Sequence, residues 1–189
     1  MAASFVGLGP SLRRMSVLDW QLFGGCYLLY VLLYFAFRHR TPGYKQAMEY
    51  AAIKQDNQAK KKEETGTIPR RSDGWIPSLV CSSVVSVISI YTFTDAVSHN
   101  FSVQWYESES FAARISVLHF FAFLVFELTV GAVAYASQLD MLSGWVHHVV
   151  YLWICLESIG HSCTNMFSIC YLEEIPTMVL SIRRLDIYR

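Results

Sequence analysis

Long apolar stretches that carry almost no charge are the feature that most constrains the fold of this chain. They alternate with segments dense in charge along 189 residues, of which 53% are hydrophobic and only 16% charged. About 20 consecutive, mostly apolar residues are needed for a helix to cross the hydrocarbon core of a bilayer. Within lipid, only helices and closed barrels satisfy every backbone polar group. The pattern therefore predicts an all-α, polytopic bundle of transmembrane helices.

The positions of these stretches predict about five membrane helices. The first three cover residues 20–37, 75–94 and 115–136. The last stretch, residues 145–180, would form one straight helix of roughly 54 Å, too long for a hydrocarbon core of about 30 Å. Polar residues at 157–162 lie near its middle, so we expect a hairpin of two shorter helices. Because no small-residue cleavage site follows the first stretch, it is read as a retained anchor.

The distribution of Lys and Arg predicts the orientation of these helices. Nine of the 15 basic residues lie within residues 38–74 and three near the C-terminus, whereas two precede the first helix and one opens the third. Cytosolic loops carry the excess of positive charge, so we expect a cytosolic C-terminus and a lumenal N-terminus. The chain then divides into a lumenal N-terminus with the first helix (1–37), a cytosolic basic loop (38–69) and the main membrane domain (70–189). Asn100, in an Asn-Phe-Ser sequon, becomes a lumenal glycosylation candidate.

Ionisable side chains inside the predicted membrane helices indicate a functional site. Such groups are costly in hydrocarbon and usually face a bundle interior or a cavity. We expect helices three to five to enclose a polar pocket. Its candidate residues are His147, His148, Glu127, Glu173, Glu174 and Thr177. Since adjacent residues on a helix point about 100° apart, only one of the two neighbouring histidines can face the pocket directly.

Three interpretations of these residues remain open at this point. Imidazole accepts protons near neutral pH, so His147 and His148, with Glu174, are catalytic candidates for deprotonating a lipid hydroxyl or amine in acyl transfer. Alternatively, the polar groups only join helices by hydrogen bonds. A metal site is disfavoured because the histidines lack His-x-x-x-His spacing and Cys-x-x-Cys is absent, so we expect no metal and no cofactor.

The remaining polar residues are expected to serve packing rather than chemistry. His161 and Asn165 lie four residues apart, and we assign them to the hairpin turn and a helix interface. Pro176 removes a backbone donor and is expected to kink the fifth helix. Small hydroxyl residues allow helices to approach closely, and the second helix carries a cluster of them at Ser82, Ser83, Ser86 and Ser89.

Four segments of this chain resemble motifs of the TLC domain family. Residues 70–75 (RRSDGW) look like the start of the family's first helix, and residues 126–131 (FELTVG) are similar to its Tyr/Phe-Asp-Leu-x-x-Gly segment. Residues 140–151 (DMLSGWVHHVVY) and 173–180 (EEIPTMVL) look like its His-His and Glu-x-Ser/Pro-Thr segments. The resemblance covers about residues 70–187. It implies a multi-pass protein of the endoplasmic reticulum whose partners are membrane lipids and the bilayer, with no nucleic acid.

Departures from the family motifs narrow what the resemblance implies. Glu127 stands where the family usually has Asp, and the region of Glu173 and Glu174 lacks the aspartates of the ceramide synthase signature. The chain therefore resembles the branch linked to membrane lipid homeostasis and lipid sensing. A sphingolipid-type N-acyltransferase and a structural membrane partner without activity are the alternatives. Because the TLC domain usually continues through further helices, we expect a C-terminally short, incomplete bundle.

Overall fold

The computed structural model describes residues 15–40, 75–134 and 141–186. Every secondary-structure element within these ranges is helical, which confirms the predicted all-α class. Most of the predicted basic loop, the TLC-like residues before Trp75 and Asp140 lie outside the described residues.

Eight α-helices build the described part of the chain. They are α1 (Val17–Arg40), α2 (Trp75–Ser98), α3 (Val103–Tyr106), α4 (Phe111–Phe126), α5 (Ala132–Ala134), α6 (His147–Gly160), α7 (Thr164–Cys170) and α8 (Glu174–Asp186). Two π-helical turns, Glu127–Gly131 and Met141–Val146, follow α4 and precede α6. A 3-10 turn, Tyr171–Glu173, connects α7 to α8.

Three helical stretches are long and apolar enough to cross a membrane. They are Val17–Phe37, Ile76–Ser98 and Phe111–Ala134, and they coincide with the first three predicted membrane helices. In the region of the other two, α6 has 14 residues and α8 has 13. In neither region do the described residues form a helix that is both long and apolar enough to cross a membrane, so the described residues support three of the five predicted spans.

The predicted hairpin break is present between α6 and α7. The chain turns just after Gly160, where Ser162 adopts a left-handed φ of 54°. The amide of Cys163 donates to the Ser158 carbonyl at 3.0 Å, so the turn satisfies a carbonyl that the helix end would leave free. This turn closes the polar stretch 157–162 in which the break was expected.

The sequence predicted a kink in the fifth helix at Pro176, and the helical path is interrupted just before this proline. The interruption comes earlier, at the 3-10 turn Tyr171–Glu173, and α8 begins at Glu174. Pro176 therefore lies in the first turn of α8, where a backbone N–H has no intrahelical acceptor. Pro176 also has no N–H to donate to the carbonyl of Leu172, four residues earlier, which lies within that 3-10 turn.

Helix α4 occupies the centre of the bundle. It packs against α1, α2, α6 and α7, and Val117, Leu118, Leu124 and Phe126 are buried in the core. Ser110 caps its start by accepting from the Ala113 amide at 3.2 Å, which supplies one of the missing acceptors of the first turn. Because α4 contacts four helices, its side chains can contribute to any site enclosed by the bundle.

Helix α2 presents its hydroxyl-bearing face to the bundle interior. Ser82, Ser86, Ser89 and Thr92 are buried, whereas Val87 on the other face is 66% exposed. Small side chains permit close helix approach, and α2 packs against α4, α7 and α8. The buried members of the serine cluster, Ser82, Ser86 and Ser89, therefore face the interior of the bundle.

Candidate functional site

A cavity of about 140 Å³ lies where α2, α4, α6 and α8 meet. The first turns of α2, α6 and α8 and the last turns of α4 line it, so it lies near one end of the bundle. One side is polar and one side is aromatic and aliphatic. Its lining residues are Ser78, Cys81, Ser82, Phe120, Phe123, Leu124, His147, His148, Glu174 and Thr177.

The two adjacent histidines differ in burial, as the helix geometry predicts. His148 is 6% exposed, whereas His147 is exposed and packs its ring against that of Tyr151 in a tilted arrangement, with centroids 4.4 Å apart. The two imidazole centroids are 5.6 Å apart. Both residues border the cavity, His148 from within the bundle and His147 at its margin. The sequence could not tell which histidine faces inward, and the structure identifies His148.

Glu174 and Thr177 reach the cavity because they lie three residues apart at the start of α8. Side chains at this spacing share one face of a helix, and both border the cavity. Three of the predicted catalytic candidates and the predicted threonine therefore lie around one space. The contribution of α2, which adds two hydroxyls and the thiol of Cys81, was not predicted from sequence.

Two of the predicted pocket residues lie outside the cavity lining. Glu127 is fully buried, but it begins the π-helical turn that follows α4, about one helical turn beyond the lining residues Phe123 and Leu124. Glu173 is exposed and accepts a hydrogen bond from the Tyr151 hydroxyl at 2.8 Å. Of the three candidate glutamates, Glu174 is the one that borders the cavity.

Both π-helical turns adjoin residues that the sequence singled out. One begins with Glu127, and the other ends immediately before His147. A π turn inserts an extra residue into the helical ladder and re-aims the side chains that follow, and such turns often lie at functional sites. The irregular backbone before the histidine pair thus sets the direction in which α6 presents both imidazoles.

A buried ion pair between α1 and α4 was not predicted from sequence. Arg114 donates from Nε and Nη2 to the two carboxylate oxygens of Asp19, each at 2.7 Å, and from Nη1 to Glu109 at 2.6 Å. Asp19 also accepts from the Ser16 amide at 2.6 Å. The signal was available, because Asp19 and Arg114 each immediately precede a predicted membrane segment.

A second unpredicted polar contact lies deeper between the same helices. The Tyr30 hydroxyl and His119 Nε2 are 2.6 Å apart, and both side chains are buried. His119 interrupts an apolar run in α4, so the rule that flagged the other intramembrane histidines applies to it as well. Neither residue lines the cavity. This contact joins helices and matches the packing interpretation of intramembrane polar groups.

The two polar residues assigned to the hairpin occupy different environments. His161 is exposed, and its Nε2 lies 3.3 Å from Glu157. Asn165 is buried, and it donates to the Trp105 carbonyl at 3.2 Å and the Ser108 hydroxyl at 2.9 Å while accepting from the Ser110 amide at 2.9 Å. Asn165 thereby fixes the segment between α3 and α4 to α7, and neither residue borders the cavity.

The cavity is suited to a small polar group attached to an apolar body. Imidazole, carboxyl and hydroxyl groups offer donors and acceptors on one side, while Phe120, Phe123 and Leu124 offer apolar contact on the other. No group of three or more His, Cys, Asp or Glu side chains within the described ranges is arranged to hold a metal ion. The chemistry available is hydrogen bonding and proton transfer by His147, His148 and Glu174.

No protein-family model, curated protein or solved structure matches this chain.

Proposed function

We propose that this chain is a TLC-type membrane protein of the endoplasmic reticulum that binds membrane lipids, as a lipid sensor or in lipid homeostasis. Its site is the cavity bordered by His148, Glu174 and Thr177. The family assignment rests on the four sequence motifs, and the site assignment rests on the cavity. The proposed ligand is a lipid with a small head group that carries a hydroxyl or an amine.

The observation that carries the proposal is the convergence of the two most specific motifs on one cavity. The His-His segment and the Glu-x-x-Thr segment are separated by more than twenty residues, yet His147, His148, Glu174 and Thr177 all border the same space. Concave sites with a few convergent polar groups are typical of binding sites.

The size of the cavity decides which part of a lipid it can hold. A volume near 140 Å³ is comparable with the engineered cavities that admit one benzene-sized molecule. Pockets for drug-sized ligands are larger, about 300–1,000 Å³. The space therefore suits a small head group, whereas the acyl chains would lie along the apolar side and among the bilayer lipids.

The proposed membrane setting includes five helices with both the basic loop and the C-terminus in the cytosol. In this arrangement α6 and the α7–α8 pair form the fourth and fifth crossings. The positive-charge count supports the orientation. The cavity, at the start of α2, α6 and α8, would then open towards the cytosolic leaflet.

Photo-crosslinking tests the proposal directly. Membranes containing the full chain are incubated with a photoactivatable, alkyne-tagged long-chain amine and irradiated, and mass spectrometry identifies the crosslinked peptides. We expect crosslinks on the peptides that carry the cavity residues of α2, α4 and α8. Crosslinks spread evenly over the outer faces of α1 and α2 would contradict a specific site.

Variants of cavity residues and a control variant test whether the crosslinks depend on the cavity. His148→Ala and Glu174→Gln remove groups from the cavity lining, whereas His161→Ala removes an exposed histidine at the other end of α6. We expect the first two variants to lose most of the cavity crosslinks and His161→Ala to retain them. Equal crosslinking in all three variants would contradict the role of the cavity residues.

The second candidate function is N-acyl transfer to a long-chain amine. It is favoured by the pairing of two imidazoles, His147 and His148, with a carboxyl group in one cavity. An imidazole nitrogen would take the proton of the amine as the amine nitrogen attacks the acyl carbonyl, and the acyl carrier would leave as a thiol. Catalysis requires a new lipid amide that disappears in His148→Ala. A sensor instead yields crosslinks without any new lipid amide.

A structural membrane partner without activity is the third candidate. In that case both histidine variants would insert normally and would leave crosslinking, cellular lipid composition and lipid amide formation unchanged. Comparing the lipid profiles of cells that express the wild-type chain, His147→Ala or His148→Ala separates this outcome from the other two.

A further inference from the structure

A stripe of hydroxyl groups continues from the cavity into the bundle along α2. Residues three or four apart on a helix lie on one face, and the stripe follows this spacing. It consists of Ser78, Ser82, Ser86, Ser89 and Thr92. From first to last the stripe rises about 21 Å, a large part of a hydrocarbon core of about 30 Å. Its outer end is Ser78, which borders the cavity.

Two hydroxyl groups next to the cavity have no hydrogen-bond partner among the described residues. They are Ser86 Oγ on α2 and Ser116 Oγ on α4, whose side chains are 1% and 0% exposed. On α2 the usual bond to the preceding turn is available, since the hydroxyls of Ser82 and Thr92 donate to carbonyls four residues back at 2.8 and 2.9 Å. Ser86 makes no such bond, so its hydroxyl is directed elsewhere.

Ser86 and Ser116 lie at the same depth. The first turns of α2 and the last turns of α4 border the same cavity, so the two helices run antiparallel. Ser86 follows the lining residue Ser82 by four positions, and Ser116 precedes the lining residue Phe120 by four positions. Each hydroxyl therefore lies one helical turn, about 6 Å, further into the bundle than the cavity lining.

One turn deeper, the hydroxyls are paired within the protein. Ser89 donates to the Ile169 carbonyl at 3.2 Å, and the hydroxyls of Thr92 and Ser168 are 3.1 Å apart. These contacts join α2 to α7 and satisfy the polar groups at this level. The unsatisfied pair is thus bounded by the cavity on one side and by a paired hydroxyl layer on the other.

We propose that the cavity continues as a water-filled recess that ends at Ser86 and Ser116 and opens only towards the cavity. Buried polar groups are satisfied by protein or by ordered water, and an internal water molecule needs two to four polar partners. The hydroxyls of Ser86 and Ser116 lie at the same depth and are unpaired, so each can supply one such partner. The ligand class is water, and the layer of Ser89, Thr92 and Ser168 closes the inner end. The recess is independent of whether the cavity binds a lipid.

Radiolytic footprinting tests the recess in the full chain reconstituted in lipid nanodiscs. X-ray pulses in oxygen-18-labelled water oxidise side chains next to bound water, and mass spectrometry measures the label at each position. Cysteine reporters are placed singly by Ser86→Cys and Ser116→Cys. The matched controls are Val85→Cys and Val117→Cys, because both valines are 0% exposed and immediately precede or follow the two serines.

We expect the two serine-position reporters to be oxidised several-fold faster than the two valine-position controls. Equal rates at all four positions would overturn the proposal, because the serine hydroxyls would then lie in a dry core. Ser89→Cys tests the closed end and should react as slowly as the controls. Rapid oxidation there would contradict closure by the hydroxyl layer.

Thermal melting gives a second test, because a dry recess and a water-filled recess predict opposite changes in the melting temperature. If the Ser86 and Ser116 hydroxyls were dry and unpaired, Ser86→Ala combined with Ser116→Ala would remove a desolvation penalty and raise the melting temperature. If they hold water, the double variant loses those hydrogen bonds and the melting temperature falls. We expect a fall, and a rise would overturn the proposal.

Discussion

At the scale of single residues, the bundle depends on a few polar contacts buried in an apolar interior. The pair Asp19–Arg114 and the pair Tyr30–His119 each join α1 to α4. In a low-dielectric interior, an unpaired polar or charged group is costly. Removing one member of either pair is therefore more damaging than removing both.

Arg114→Met should destabilise the protein strongly, because it leaves the Asp19 carboxylate without its bidentate partner. The side chain of Asp19 is only 3% exposed, and breaking a buried ion pair from one side typically costs about 3–5 kcal/mol. The free energy of unfolding in mixed micelles measures the effect. Combining Arg114→Met with Asp19→Asn should recover most of the loss.

Glu109→Gln is the matched control for this contact. Glu109 also pairs with Arg114 at 2.6 Å, but its side chain is 23% exposed. We expect a change of no more than about 1 kcal/mol, since partly exposed ion pairs contribute little. A loss as large as that of Arg114→Met would contradict the assignment of Asp19 as the principal partner.

Tyr30→Phe should destabilise by about 1–2 kcal/mol, because His119 Nε2 loses its buried hydrogen-bond partner. Tyr27→Phe on the same helix is the control. The Tyr27 hydroxyl contacts Thr129 at 3.0 Å, but Thr129 also donates to the Val125 carbonyl at 2.7 Å, so it keeps a partner after the change. Urea or SDS titration of both variants compares the two losses, and equal losses would contradict this explanation.

At the scale of secondary-structure elements, the sequence predicted positions well and interruptions less well. The first three apolar stretches predicted α1, α2 and α4 because length and hydropathy are local properties. The hairpin break was also visible, since polar residues cluster around Glu157. The 3-10 turn at Tyr171–Glu173 and the two π turns were not predicted, because tertiary packing decides whether a helical ladder absorbs an extra residue.

Pro176→Ala should change the free energy of unfolding by no more than about 0.5 kcal/mol, because the proline lies in the first turn of α8. The same measurement on Val179→Pro provides the contrast. Val179 lies in the second turn of that helix, where proline removes a bond and typically costs about 3 kcal/mol. A large loss of unfolding free energy in Pro176→Ala would indicate that the proline helps to set the 3-10 turn before α8.

The cavity lining could be predicted only in part from residue patterns. Rules about intramembrane ionisable residues selected His148 and Glu174, which border the cavity. The same rules selected Glu127, which is buried but is not among the lining residues, because hydropathy and charge do not specify which way a side chain points. They missed Ser78 and Cys81, since small side chains on α2 look the same whether they pack or line a space.

At the scale of the whole molecule, the proposed topology makes Asn100 lumenal. Asn100 is exposed in the turn between α2 and α3, with a left-handed φ of 52°. We expect a glycan there that is removed by endoglycosidase H and lost in Asn100→Gln, unless the bilayer surface blocks access. Lengthening the turn with a flexible insert that carries the sequon controls for this, and an unmodified insert would reverse the orientation.

In the proposed architecture, three long helices and a hairpin of short helices enclose a polar cavity. Identifying the lipid that copurifies with the protein tests most directly whether this cavity binds lipid. The full chain is purified in mild detergent beside His148→Ala and the control His161→Ala, and bound lipids are extracted and identified by mass spectrometry. The account predicts one lipid class with a small hydroxyl- or amine-bearing head group, retained by the wild type and by His161→Ala and lost from His148→Ala. A lipid mixture that matches the bulk membrane in all three preparations would contradict it.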